Sequence, residues 1–368
     1  MSKRWWLYSG DIEEAISNQW KIIQTAKTGN EKAIEASILT YLGQYEECER
    51  FIVENKLYKF VEGRQALFRA RRAQRSKYAW SSLIDETEQF ERLDMIIKKA
   101  IKNGYVVCIS LVGGIGDQIE SASIILNEDK NYVKGERPKL MIRSRGSNNK
   151  IVEDYLYTTR ARHLLAKKND NFMIEIPMPM YRAWLESRRE SIRGYEYLRK
   201  AVKRRQKDDE KNLLLCLRSK TNQKSPLSFF GRSLRFHEIM TTLEKINTVD
   251  RLRIRDISEY NMREKEIIKK ETPRVELIRD SIKTLEDTNS YIEAADCIIT
   301  VDTSIAHISA TSGVKNNLLL AKYPDERWIE LMSQEKAYKD TTKIKQQQEF
   351  GKWKNIETTI YEIVASLR

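Results

Sequence analysis

Histidine, cysteine and proline are scarce in this chain of 368 residues, with three, four and six copies respectively. His163, His237 and His307 stand far apart, and no CxxC or HExxH spacing occurs, so the expectation is no bound metal and no cofactor. Cys48, Cys108, Cys216 and Cys297 are equally dispersed. Three of them fall in apolar runs, where cysteine behaves as a small hydrophobe, so no disulfide framework is predicted. No apolar run reaches the ~18 residues that a transmembrane helix requires. The opening MSKRWWLYSGDIEEAI turns acidic before a signal-peptide core can form, so no signal peptide and a cytoplasmic location are expected.

Charge, by contrast, is abundant. Charged residues make up 32% of the chain and hydrophobic ones 40%, the balance of a water-soluble globular protein. Lys plus Arg number 66 against 53 Asp plus Glu, a net +13. That excess favours anionic partners, whether nucleotide-sugar phosphates, nucleic acid or an anionic membrane surface, although a solvated basic surface accounts for it equally. The length favours two or three domains.

Residues 11 to about 100 read as all-helical, with apolar residues three and four apart and almost no Gly or Pro. Glu31 to Lys56 has the form of a helical hairpin. Ala33, Ala36, Ile38, Leu39 and Leu42 make one face, Gly43 ends the first helix, and Tyr45, Cys48, Phe51 and Ile52 make the second. One such pair resembles a tetratricopeptide unit. A lone unit buries little, so it is expected to pack on the segment next along the chain, or to meet a protein partner or a second copy. Phe68 to Tyr78, FRARRAQRSKY, carries five basic residues on a predicted helix, either to meet phosphates or as an exposed face.

Tyr105 to Val112 is the first predicted buried strand, followed at once by Gly113, Gly114, Ile115, Gly116 and Asp117 and then a helix over Gln118 to Asn127. The loop does not complete GxGxxG, because Ile119 stands at the third glycine position. The next strand, Lys139 to Ser144, carries Arg143 rather than a terminal acid, so a nicotinamide dehydrogenase is not predicted. NFMIEIPMPMY reads as a strand running into a loop in which Pro177 and Pro179 stop any helix. Tyr181 to Lys211 reads as helical and basic, with an interdomain boundary at about 207 to 211. Strand and helix then alternate: Leu213–Leu217, Phe236–Ile246, Arg251–Ile257, Glu264–Lys270, Val275–Ile278 and Thr284–Ala295.

These lead to Cys297–Gly313, CIITVDTSIAHISATSG, read as a buried strand, a polar corner and a helix over 303 to 313. Helix N-termini at the carboxyl ends of parallel strands seat phosphates. Asp302 would repel a phosphate, so it is expected to bind sugar hydroxyls, while Thr303, Ser304 and backbone N–H groups face the phosphates. His307, one turn in, is expected to point back to the corner. As alternatives, Asp117 and Asp302 are helix N-caps, His307 is a packed histidine, and Trp328 fills the core.

GGIGD at the end of the first strand, YIEAADCIITVDTSIAHISATSG, then Tyr323-Pro-Asp-Glu-Arg-Trp328 and Gly351-Lys352-Trp353 together resemble heptosyltransferase-type glycosyltransferases (glycosyltransferase family 9). The resemblance spans about 105 to 368. With the repeat-like segment at about 31 to 75, it points to the bacterial subgroup that carries tetratricopeptide repeats. It implies an α/β, GT-B fold: two Rossmann-like domains facing a cleft, at 104–210 (acceptor) and 211–368 (donor), preceded by a helical segment over 1–103. It also implies inverting, metal-independent transfer. By position, Asp117 falls on the family's general base, Asp302, Thr303 and His307 on its donor corner, and Arg218 and Lys220 near the donor diphosphate. Two departures stand out: Gly313-Val314-Lys315 lacks the family's proline, and the stretch 105 to 210 is short.

The expected function is therefore transfer of a sugar from a nucleotide-diphosphate sugar to a hydroxyl of an anionic acceptor, a saccharide or glycolipid. The alternatives are transfer to modified bases in DNA, or a non-catalytic scaffold built on a transferase-like fold.

Overall fold

The computed structural model describes residues 11–74, 79–83, 87–167, 170–188, 195–199, 210–219, 232–325, 327–328, 337–353 and 355–367. The chain divides into two compact units. One gathers Asp11–Leu198 with Tyr323–Lys336, and the other Arg199–Lys322 with Ala337–Arg368.

The first unit begins with helices α1 (Ile12–Thr25), α2 (Gly29–Tyr41), α3 (Tyr45–Glu54), α4 (Val61–Ala73) and α5 (Thr87–Asn103). Asp11 and Thr28 cap α1 and α2, and Glu31 reaches back to the Thr28 N–H to close a capping box. The end of α2 is a Schellman turn: Gln44 N–H reaches the Leu39 carbonyl at 2.9 Å and Gly43 N–H the Thr40 carbonyl at 3.3 Å. Gly43 has φ +74°, and a Cβ there would lie 2.4 Å from the ring of Tyr323. The expected hairpin is thus α2–α3, and its apolar faces close on α4 through Leu39, Ile52, Leu67 and Ala70.

The basic run on α4 does not simply face solvent. Arg71 Nε donates to Glu49 at 2.8 Å, Arg69 lies over the Tyr41 ring, and Arg72 is buried 3.9 Å from Glu120. Arg75 and Lys77 lie outside the described residues.

Next come β1 (Val106–Leu111), α6 (Ile115–Lys130), β2 (Lys139–Ser144), α7 (Asn149–Tyr157), β3 (Ile174–Pro177) and α8 (Met178–Ser187). The strands form a parallel sheet of order β2-β1-β3. Pro177 and Pro179 do not stop a helix: Pro177 is the N-cap of α8 and Pro179 lies in its first turn, where no N–H partner is lost. That helix ends at Ser187, short of the expected helical span to Lys211, and residues 189–194 and 200–209 lie outside the described set.

The second unit holds β4 (Lys211–Cys216), α9 (Phe236–Asn247), β5 (Leu252–Asp256), α10 (Met262–Glu271), β6 (Val275–Leu277), α11 (Leu285–Ala294), β7 (Cys297–Val301), α12 (Ser304–Thr311), β8 (Asn316–Leu320), α13 (Ala337–Thr341), β9 (Thr342–Gln346) and α14 (Ile356–Ala365). Its six strands are all parallel, in the order β6-β5-β4-β7-β8-β9. This is the doubly wound nucleotide-binding order, with the direction of winding reversing between β4 and β7. β7 is wholly buried, as a central strand covered on both faces is, and β4 beside it is buried over Leu213–Cys216. Leu215, Ile254, Ile299 and Leu319 build the core with Leu243 of α9 and Ile360 of α14.

All four cysteines are buried. Desolvation pushes the thiols of Cys48, Cys216 and Cys297 up to about 12 and that of Cys108 to about 11. Thiolate is the reactive form. Iodoacetamide at about pH 8 is therefore expected to label none of them in the native protein and all four after denaturation, as read by mass spectrometry.

Candidate functional site

The winding reversal places the ends of β4 and β7 side by side, with Cys216 paired to Thr300. Beyond β7 the chain turns through Asp302 and Thr303 into α12. Thr303, not Asp302, is the N-cap: its Oγ1 accepts from Ile305 N–H at 3.3 Å and lies 3.1 Å from Thr300 Oγ1. Ser304 is the first helical residue, so the helix starts one residue later than expected and ends at Thr311.

Asp302 is 5% exposed, and its carboxylate receives Nε and Nη2 of Arg232 at 2.9 and 2.5 Å. A carboxylate this buried is tolerable only with a cation against it. The guanidinium also offsets the negative charge that Asp302 places beside the start of α12. Sequence reasoning missed Arg232. It lies 70 residues from its partner and just before α9, and no local pattern separates it from the other arginines of that stretch.

Arg218 follows β4 and is held by Glu264 of α10 at 2.7 Å. Lys220 lies outside the described residues. His307 is buried in the body of α12, where Nδ1 and the Tyr338 hydroxyl of α13 stand 2.9 Å apart. Its described partner is thus in the core rather than at the corner. Asp256, the last residue of β5, is fully buried and accepts from Ser258 N–H at 2.8 Å and the Tyr260 hydroxyl at 2.7 Å. Burial pushes its carboxyl above the ordinary value despite these bonds. Ser258 Oγ in turn accepts from Leu217 N–H, so the network braces the strand ends on which Arg218 stands.

The glycine loop belongs to the other compact unit. Gly113 has φ +96°, and α6 begins at Ile115, earlier than expected, with Gly114 as N-cap and Gly116 inside the first turn. Asp117 is therefore not the N-cap; it occupies the third helical position, and its Oδ2 accepts from Gly114 N–H at 2.7 Å. Its other oxygen, Oδ1, meets Nη1 of Arg327. Arg327 is doubly bound to Asp325, Nε to Oδ1 and Nη2 to Oδ2, each at 2.8 Å. Trp328 beside it is buried, as its core reading has it.

At the carboxyl ends of the same small sheet, Glu175 of β3 accepts from Arg145 at 2.6 Å through both of its oxygens and from Ser110 of β1 at 2.5 Å. The Arg145 bonds, with smaller help from Ser110 and Arg143, hold the Glu175 carboxyl below its usual range against the opposing cost of partial burial.

The candidate residues thus form two groups. Asp302, Thr303 and Ser304 stand together with Arg232, Arg218 is held apart by Glu264, and Gly113, Gly114, Gly116 and Asp117 stand with Arg327. Among the described residues no cluster of three or more His, Cys, Asp or Glu is placed to hold a metal ion, and no helix is long and apolar enough to cross a membrane.

No protein-family model matches the chain, and no curated protein sequence does. Among solved structures, it is similar to E. coli heptosyltransferase WaaC with ADP-2-deoxy-2-fluoro heptose. The identity is 8%, the match covers 72% of this chain and 100% of that one, and the TM-score is 0.45. The same enzyme with ADP is similar at 9% identity over the same shares, with a TM-score of 0.42.

Proposed function

We propose that the protein is a glycosyltransferase of the GT-B type that moves a sugar from a nucleotide-diphosphate sugar to an acceptor hydroxyl, with inversion and without a metal ion. The observation that carries this reading is the corner at the winding reversal of the six-stranded sheet. There the Thr303-capped start of α12 stands beside a guanidinium anchored on a buried carboxylate. Ligands of such sheets bind where the winding reverses, and helix N–H groups together with arginine suit a diphosphate.

In the step proposed, Asp117 takes the proton of the acceptor hydroxyl. The freed oxygen attacks the anomeric carbon on the face opposite the diphosphate, the bond from that carbon to the phosphate oxygen breaks, and the nucleoside diphosphate leaves with the electron pair. Arg232 and the α12 amides take up the charge that develops on the leaving group. Asp302 acts through Arg232, and Arg218 stands on the neighbouring loop. Transfer to DNA has less behind it, since Arg71 and Arg72, two of the five basic residues of the run on α4, are engaged by Glu49 and Glu120.

The test is calorimetry and turnover with ADP-, GDP- and UDP-hexoses in the presence of EDTA. Saturable binding with chelator-insensitive release of nucleoside diphosphate is the expected result. Binding without any release points instead to the scaffold alternative, and the absence of both overturns the assignment of the corner.

A further inference from the structure

Tyr323–Trp328 follows β8 in sequence but belongs to the compact unit that carries the glycine loop. Its ends are fixed there: the Tyr323 ring sits against Gly43, and Trp328 is 1% exposed. Between them Arg327 is locked within its own turn. Asp325 receives both Nε and Nη2, and Asp325 Oδ1 also accepts the Arg327 backbone N–H at 3.1 Å. A planar guanidinium held by two parallel bonds cannot rotate, so the direction of its remaining nitrogen, Nη1, is set by Asp325. That nitrogen meets Asp117 Oδ1, while Gly114 N–H holds Oδ2. Both carboxylate oxygens are thus oriented, yet the Asp117 side chain keeps 38% of its exposure and is open to an incoming hydroxyl.

We infer that Arg327, itself set by Asp325, is a positioning residue for Asp117, fixing the plane of the carboxylate that takes the acceptor proton. The inference rests on the proposed role of Asp117 as base. A base already in the orientation for attack loses no time and no entropy in finding it, and misplacement by about 1 Å costs on the order of 10²-fold in rate. Lysine reaches the same region as a point charge but cannot hold the two-bond fork, so it replaces only part of the effect.

The test compares wild type, Arg327→Ala, Arg327→Lys, Asp325→Asn, Asp117→Ala and the Asp117→Ala/Arg327→Ala double variant, with thermal melting to confirm folding. On whichever of the ADP-, GDP- and UDP-hexoses is turned over, Arg327→Ala is expected to lower kcat by about 10²-fold with donor KM nearly unchanged. Arg327→Lys and Asp325→Asn fall between it and wild type, and the double variant is no slower than Asp117→Ala alone. Independently of turnover, hydrogen exchange of the Gly114 amide, followed by NMR, should accelerate in Arg327→Ala and less in Arg327→Lys. Wild-type exchange in Arg327→Ala, or additive losses in the double variant, overturns the inference. Full activity in Asp117→Ala instead overturns the reading of Asp117 as base, and the Gly114 amide then decides alone whether Arg327 orients that carboxylate.

Discussion

Replacing Asp117 by asparagine is expected to cut kcat for sugar transfer by about 10²- to 10⁴-fold, the usual contribution of a positioned base, with the fold left standing. Asparagine keeps the shape of the side chain and an amide oxygen for the Gly114 N–H, so the turn into α6 survives at a cost of no more than about 1 kcal/mol. What it cannot do is take a proton. Alanine removes both functions, so the two variants separate capping from chemistry. Equal losses in kcat with unequal losses in melting temperature assign the rate effect to proton transfer. Retention of kcat within about threefold in Asp117→Asn places the base on another residue, since such a change is below the contribution expected of acid–base catalysis.

The second large effect is expected at Arg232. Charge-assisted hydrogen bonds are each worth about 1.5–3 kcal/mol, so Arg232→Ala should weaken binding of a nucleotide-diphosphate sugar by about 10- to 100-fold. The same change deprives the buried Asp302 of that guanidinium, and breaking a buried pair from one side costs about 3–5 kcal/mol. Because the Arg232 side chain is 29% exposed, solvent screening pulls the loss below the low end of that range. The Arg232→Ala/Asp302→Ala double variant separates the two effects. Its melting temperature should recover relative to Arg232→Ala, while its donor affinity should not. Calorimetry on the three proteins checks this, and recovered affinity in the double variant would show that Arg232 serves only to balance Asp302.

How much of this was legible in the sequence depended on range. β2 is where the alternating run Lys139–Ser144 puts it, and β7 is the apolar run Cys297–Val301, because both patterns are local consequences of burial. Thr284 caps α11 for equally local reasons. β9, TKIKQ, was not legible. An edge strand needs one neighbour only and carries a polar sequence, and the bonds that define it come from β8. The start of α8 departs from the sequence expectation because Pro177 and Pro179 stand at its N-cap and in its first turn, where proline opens a helix rather than ending one. Within the candidate site, the corner at Asp302 could be found from its strand–turn–helix pattern. Arg232 and Arg327 could not be matched to Asp302 and Asp117, which lie 70 and 210 residues away along the chain; only the Asp325 partner of Arg327 is local. Aspartate at the third helical position also mimics an N-cap in sequence, and only the Gly114 backbone geometry distinguishes the two.

The excursion of Tyr323–Trp328 bears on how this chain can be divided. A cut at Leu198 follows the boundary between the two compact units, yet a fragment ending there lacks the residues that seat on Gly43 and grip Asp117. Such a fragment would expose the bare underside of the Schellman turn and leave the glycine loop without its clamp. The linear order of the chain and the order of its building blocks therefore differ. A workable half-protein needs the late strand-to-helix connection supplied in trans, as a peptide, or grafted back by circular permutation.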